Sequence, residues 1–320
     1  MTNPHQGQNI RHSNRLEGSV VAITGAASGN GRASALRTGR EGAALYISDI
    51  NAEMLEDTLG DLKSEGIDVA GGIFDAANID DAPRFVAAVK DAYGRIDVLV
   101  NNAGAVRIEP FPNVSEENWD WTMNLNLKGA FFLMQEAAKE MIEQRSGNIV
   151  NIASIAGTFG GPTSSPPYAA AKAGLVNLTT VAAAALAQYG IRVNAIAPGI
   201  INTPFHAPVD IAIGQEQLGL KPGEHIHTRV SLLPLGRLGE PEDIAATVAF
   251  LASEAASHLS GVAITRIVEQ AQPLECDLVY SSFFQFVPER LLKQDVVRRP
   301  YAHHGFQRSA VSWHLSTLRA

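Results

Sequence analysis

From residue 19 onward the chain alternates short, β-branched apolar runs with longer alanine-rich stretches of helical period, and this alternation leaves few folds open to it. The segments "SVVAITG", "AALYISD", "IDVAGGIFD", "RIDVLVNNAG", "GNIVNIAS", "IRVNAIAPG" and "GVAIT" read as strands, most of them apolar on both faces, as strands buried in a parallel sheet are. Helical periodicity fills 31–41, 52–65, 80–93, 116–144, 168–189 and 241–253, with Ser115 ahead of Glu117 and Asn118 marking the start of the longest. Strand then helix, repeated about six times, predicts an α/β fold. It is a doubly wound parallel sheet of about seven strands with helices on both faces and a site at the carboxyl ends of the strands.

The turn after the first strand indicates what such a site holds. "TGAASGNG", residues 24–31, runs straight from strand into helix. Gly25, Gly29 and Gly31 let the backbone turn tightly and approach a pyrophosphate, whose charge a helix N-terminus favours. Asp49 ends the second strand 24 positions after Gly25 (49 − 25), where a carboxylate accepts hydrogen bonds from the adenosine ribose hydroxyls. A carboxylate there repels a 2'-phosphate, and "YISDINAE" holds no arginine beside it, so NAD is expected over NADP. The competing explanation is a solvated aspartate at a strand end.

"YAAAK", residues 168–172, sets Tyr168 and Lys172 one helical turn apart on one face. A nearby cation favours the phenolate, drawing a group that normally titrates near pH ~10 toward a range where it exchanges a proton usefully. The same spacing also describes a surface tyrosine resting on a lysine stem, so context decides between them.

The formal net charge of −8 offers no basic field for a phosphate backbone, which argues against nucleic acid as a partner. Residues 1–15 are polar, and no span of 18 uncharged apolar residues is read further on, so neither a signal peptide nor a membrane helix is expected. Residues 1–16 read as a disordered arm. A single cysteine, Cys276, excludes an internal disulfide and a cysteine-rich zinc cage and fits a reducing cytoplasm.

Two regions break the rhythm. Residues 205–235 carry Pro208, Gly214, Gly219, Pro222, Gly223 and Pro234, too long a connection for this fold and therefore a substrate loop. Its His206, His225 and His227 lack a companion cluster of carboxylates or cysteines, so no metal is expected. Residues 266–320 hold one of 28 glycines but seven of 21 aromatics, and their charge of +2 (7 − 5) contrasts with −10 (18 − 28) before them. This marks a boundary, after which a genuine extension, a partner-binding segment and an out-of-frame tail all stay open.

Taken together, "TGAASGNG", "NNAG" at 101–104, "NLKG" at 126–129, "NIAS" ending at Ser154, "YAAAK" and "PGIINT" at 198–203 resemble the short-chain dehydrogenase/reductase family, in order and spacing across residues 17–265. "GRLGEPEDIAATVAFLASEAASHLSG", 236–261, resembles the family's closing helix and turn. The resemblance implies one Rossmann-type catalytic domain and a cytoplasmic, NAD-dependent oxidoreductase interconverting a secondary alcohol and a ketone on a small or medium molecule. By that resemblance Tyr168 exchanges a proton with the substrate oxygen, while Lys172 lowers its pKa and holds the nicotinamide ribose. Ser154 hydrogen-bonds the substrate oxygen, and Asn126 supports a relay water, with Asn124 the rival for that place. Gly25, Ser28, Asn30, Gly31, Asp49, Asp75, Asn102, Ala103, Gly104, Pro198, Gly199, Ile201 and Thr203 join Tyr168 and Lys172 around the coenzyme. Substrate choice falls to 105–114, 155–167 and 205–235, where Phe159 and Phe205 point to an apolar pocket.

The chain departs from the family pattern at Asn30, where an aliphatic residue is usual, and after Thr265, where "RIVEQAQPLEC" replaces a short Val-Asp-Gly-Gly ending. That ending helps form a subunit interface in the family, so the implied homo-oligomer, tetramer or dimer, rests on an altered terminus. Two rivals to the leading reading are a 3-oxoacyl-thioester reductase using NADPH, which Asp49 counts against, and a catalytically silent dinucleotide-binding protein, which the complete Ser154, Tyr168, Lys172 and Asn126 set counts against.

Overall fold

The computed structural model describes residues 14–158, 164–230 and 233–266. Seven parallel strands form one sheet in the order β3-β2-β1-β4-β5-β6-β7. They are β1 (Val20–Thr24), β2 (Ala44–Asp49), β3 (Val69–Ile73), β4 (Val98–Asn101), β5 (Gly147–Ile152), β6 (Ile191–Pro198) and β7 (Ala263–Arg266). The helices are α1 (Gly29–Arg40), α2 (Ala52–Ser64), α3 (Asp81–Tyr93), α4 (Glu116–Met123), α5 (Gly129–Gln144), α6 (Pro166–Leu186), the short α7 (Ala207–Val209) and α8 (Glu224–Thr228), and α9 (Pro241–Ala252). Every strand anticipated from the apolar runs is present.

The period-two geometry of a strand sends alternate side chains to opposite faces, and each face has its own core. Val21 and Ile23 join Leu55, Leu59 and Leu62 of α2 and Ile244, Val248 and Leu251 of α9. Val20 and Ala22 join Phe85 and Val89 of α3 and Leu133 and Met141 of α5. Because β1 lies between β2 and β4, the chain winds outward in opposite directions from this point. The loops leaving β1 and β4 therefore diverge and open a crevice at the carboxyl edge of the sheet.

Helix starts follow their caps. Asn51 Oδ1 accepts from Met54 N at 3.1 Å and Ser115 Oγ from Asn118 N at 3.1 Å. The long helix anticipated over 116–144 is present, but it contains a π-helical turn, Asn124–Lys128, between α4 and α5. Such a turn pushes one extra residue into the helix wall, a feature that recurs at functional sites. Helix α6 begins before Tyr168, at Pro166, whose ring suits a first-turn position with no intrahelical bond to donate.

The ordered body also begins earlier than the arm boundary at 16. Leu16 is 1% exposed in the first core, and Arg15 donates to both carboxylate oxygens of Glu41, at 2.8 and 2.6 Å. Burial raises the pKa of that carboxylate, but Arg15 and Arg37 outweigh it and hold Glu41 below the usual range. Residues 1–13 and 267–320, and with them Cys276 and all of the tail but Arg266, lie outside the described residues, as does Phe159.

One segment has the length and apolar composition of a membrane span, with Lys172 inside it. Pro166–Tyr189 is long and apolar enough to cross a membrane by length and composition. In the fold it is α6 with the turn that follows, and it sets Leu175, Thr179 and Ala183 into the interior together with Tyr168 and Lys172. The substrate loop is also less irregular than its prolines and glycines imply. The buried Asp210 gathers it, accepting from Gln215 Nε2 at 2.9 Å, Gly223 N at 2.8 Å and His225 N at 3.3 Å.

Candidate active site

The glycine turn between β1 and α1 is held open by close backbone packing. Gly25 has φ +63°, and a Cβ on Gly31 would lie 2.1 Å from the Gly25 carbonyl oxygen and 2.6 Å from Asn102 Nδ2. Asn102 staples the end of β4 to this turn, its Nδ2 donating to the Thr24 and Gly25 carbonyls, both at 2.9 Å. Asn102 N and Ala103 N donate to Thr24 Oγ1 at 3.1 and 3.0 Å. The role of Asn102 in the protein itself is therefore to shape the turn.

Several features of this end fit a dinucleotide. Ser28 precedes α1 in extended backbone without capping it through its side chain, which leaves the helix N-terminus to face an anion. Asp49, at the end of β2, accepts from Ala27 N at 3.1 Å and Asn51 N at 3.0 Å, one bond to each oxygen, so lone pairs remain for hydroxyl donors. Asn30 Oδ1 is buried with no hydrogen-bond partner. Thr203 closes the turn from across the crevice, its methyl 3.3 Å from where a Gly29 Cβ would stand. Asp75 Oδ1 accepts from Ala77 N at 2.9 Å, which fixes the loop after β3.

The other end gathers the polar side chains expected to handle protons. Ser154 leaves β5 in extended backbone, and its Oγ accepts from Ala156 N at 3.2 Å. Tyr168 and Lys172 are 8% and 4% exposed. Lys172 Nζ donates to the Ile152 carbonyl at 2.9 Å and lies 5.7 Å from the Tyr168 ring centroid. Burial pushes the phenol up to about 12, a rise the Ser154 hydrogen bond partly offsets, and burial pushes the lysine down to about 8. The lowering of the phenol expected from the Tyr168–Lys172 spacing is thus not supplied by these side chains alone. Desolvation is the largest influence on the phenol, and the cation stands 5.7 Å from the ring centroid.

The π-helical turn aims Asn126, not Asn124, at this cluster. Asn126 Nδ2 donates to the Ala105 and Thr122 carbonyls, both at 3.0 Å, while its Oδ1 is buried without a partner. A Cβ on Gly104 would stand 2.7 Å from that oxygen and 3.4 Å from Lys172 Nζ. Gly104 is therefore the gap through which the amide and the ammonium approach each other.

A depressed lysine pKa carries a stability consequence. The ammonium form is penalised in the folded state fully below pH about 8, and the penalty fades as pH rises toward the ordinary value near ~10.4. Lys172→Met is expected to raise the melting temperature at pH 7, with the gain shrinking between pH 8 and ~10.4; thermal melts across that range check it.

Every candidate site residue except Gly31 and Asn126 lines a single cavity of about 690 Å³ at the carboxyl edge of the sheet. Gly31 packs beneath the turn, and Asn126 stands behind Gly104. The family profile described as short chain dehydrogenase matches residues 19–212, which hold all of these positions. The chain belongs to the short-chain dehydrogenase family. It is an oxidoreductase of the kind that interconverts alcohols and ketones with a nicotinamide dinucleotide.

The 3-oxoacyl-(acyl-carrier-protein) reductase FabG of Thermotoga maritima is 42% identical over 250 residues, 78% of this chain and 96% of its own. Among solved structures, Levodione Reductase aligns with a TM-score of 0.74 at 36% identity, covering 79% of this chain and 97% of its own. NAD+-bound xylitol dehydrogenase aligns with a TM-score of 0.74 at 31% identity, covering 79% and 99%.

In this short-chain dehydrogenase the motifs did not disclose the whole wall. Trp121 of α4 and Leu125 of the π-helical turn line the cavity, as do Phe74 and Ile50 near Asp49. Reading 116–144 as one regular helix hid which side chains its first turns present inward. The ring of Phe205 lies 5.6 Å from that of Tyr168, between centroids, so the 205–235 segment reaches the Tyr168 side of the cavity. Of the loop histidines, His225 is buried and His227 exposed, and among the described residues no three His, Cys, Asp or Glu side chains are grouped so that they could hold a metal ion.

Proposed function

We propose that this enzyme interconverts a secondary alcohol and a ketone using NAD(H). The observation that carries the coenzyme choice is Asp49. Its carboxylate is fixed to the glycine turn through Ala27 N, in the wall of the cavity that also holds Tyr168. A 2'-phosphate placed there meets a fixed like charge, and neighbouring Ile50 and Asn51 bring no cation.

When bound, the nicotinamide supplies or accepts the hydride. The chain's own groups manage the proton. The Tyr168 hydroxyl gives a proton to the developing alkoxide in reduction and takes it from the alcohol in oxidation, while the Ser154 hydroxyl holds the same substrate oxygen. Burial raises the Tyr168 pKa to about 12, so the phenol is protonated near pH 7, the form that donates. Lys172 places positive charge behind the phenol and a donor toward the nicotinamide ribose. The unpartnered Asn126 oxygen suits a water that passes the proton from Lys172 outward.

Steady-state comparison of NAD+ and NADP+ tests the coenzyme assignment. Asp49→Ser is expected to lower kcat/KM for NAD+ by about tenfold and to narrow the gap to NADP+. A wild-type preference for NADP+ would overturn it. The 42% identical FabG relative favours a second reading, a 3-oxoacyl-thioester reductase, and the same comparison run with a 3-oxoacyl thioester separates the two.

A further inference from the structure

Two aromatic side chains reach the cavity of Tyr168 from segments far apart in the chain. One is Phe205, whose ring packs on that of Tyr168; the other is Trp121 of α4. Leu125, four positions after Trp121, lines the same cavity, so the inward side of this helix wall is apolar. Trp121 is held from outside. The guanidinium carbon of Arg107 stands 4.2 Å from the centre of the indole, over its face, and Arg107 is exposed and takes no part in the cavity wall. The cation therefore covers one face of the indole, and the rest of the ring is what the cavity meets.

We infer that Trp121 is a specificity-determining residue positioned by Arg107, and that the enzyme acts on alcohols and ketones bearing a flat aromatic ring, which packs against the indole while Tyr168 and Ser154 meet the reacting oxygen. This rests on the alcohol–ketone reading above and adds the substrate class.

The segment that carries Arg107 is itself tied to the helix that carries Tyr168. Ser165, buried at the start of α6, donates from Oγ to the Arg107 carbonyl at 3.1 Å, and Glu109 N donates to the Ser164 carbonyl at 2.9 Å. The indole and the phenol thus share a frame. Arg107 Nη1 also donates to Glu117 at 3.2 Å, but Glu117 is exposed and such a pair adds little hold. An indole fixed by a stacked guanidinium has little rotamer freedom left to lose when a ligand packs on it. Ring on ring also gains beyond the area it buries, which a flexible alkyl chain does not.

The test uses the full-length protein and two ketones of equal carbon number, 4-phenylbutan-2-one and decan-2-one. The alkyl ketone is the more hydrophobic, so a preference for the phenyl ketone reports recognition of the ring. Turnover is measured with whichever reduced coenzyme the enzyme prefers, and binding by calorimetry on the complex with the matching oxidised coenzyme. The phenyl ketone is expected to have the higher kcat/KM by about tenfold. Trp121→Leu should bring that ratio close to one, and Trp121→Phe should keep part of it. Arg107→Met should raise KM for the phenyl ketone by about threefold with kcat held, and Arg107→Lys should recover part of the loss. Glu117→Gln, which removes the ion pair and keeps the stack, should change neither. If the unaltered protein prefers the phenyl ketone in neither turnover nor binding, or if Trp121→Leu preserves the preference, the inference is wrong; the first comparison needs no variant to fold. An unchanged KM in Arg107→Met would overturn the positioning role. Trp121-dependent preference in binding without turnover would uphold the ring site and remove the alcohol–ketone reading. Turnover of both ketones with no preference would do the reverse.

Discussion

Tyr168→Phe is expected to lower kcat by about 10³-fold or more while NADH still binds. The substitution removes one oxygen and keeps the ring that packs 5.6 Å, between centroids, from Phe205. That oxygen is buried beside Ser154, and burial has already raised its pKa to about 12, so its loss relieves the fold of a desolvated hydroxyl rather than opening a gap. Melting temperature should therefore hold or rise. Single-turnover kinetics and NADH fluorescence titration, taken together, check both halves. A variant that keeps turnover would show that another group handles the proton, and one that loses NADH binding would show that the hydroxyl holds the coenzyme and does not act on the proton alone.

The second large effect concerns a residue with no chemistry of its own. At the start of α5, a Cβ on Gly129 would stand 1.7 Å from the carbonyl oxygen of Ala76 and 2.9 Å from its carbonyl carbon. Both obstacles are backbone, so no rotamer change relieves the clash. Gly129→Ala must push the loop after β3 away from the helix, at a cost of about 3 kcal/mol, or roughly 10 °C in Tm for a domain of this size. Because Phe74, Asp75, Ala76 and Ala77 all line the coenzyme end of the cavity, NADH affinity should fall as well. Gly60 within α2 is the internal control, since a Cβ there meets nothing within 4 Å. Gly60→Ala should be stabilising by about 0.5–1 kcal/mol. Thermal melts of the two variants side by side decide whether close approach, and not glycine content, is responsible.

These two positions mark how far the sequence could be read. The seven strands were legible because residues such as Val21 and Ile23, buried at 0% exposure on one face while Val20 and Ala22 are buried on the other, leave an unbroken apolar run. The glycine turn, Asp49 and the Tyr168–Lys172 pair were legible because local geometry fixes their spacing along the chain. Trp121, Leu125 and Arg229 were not, since each enters the cavity from a segment whose facing depends on what packs behind it. The π-helical turn shows the mechanism. Nothing in "MNLNLKGAFF" announces an extra residue in the helix wall; it exists beside Gly129 lodged on the Ala76 carbonyl and Asn126 bonded back to Thr122.

The sequence by itself determined the sheet, its winding and the identity of the residues around the glycine turn and the phenol, because those follow from short-range periodicity and from which side chains can be buried. Only the tertiary structure decided the balance of charge among them. It bonded the buried Lys172 to the Ile152 carbonyl and enclosed Tyr168 beside it, so that desolvation governs both groups. It also brought Arg229 into the same cavity as Trp121 and Phe205. Both depend on contacts between segments far apart in the chain, whose dielectric and distances no local pattern encodes.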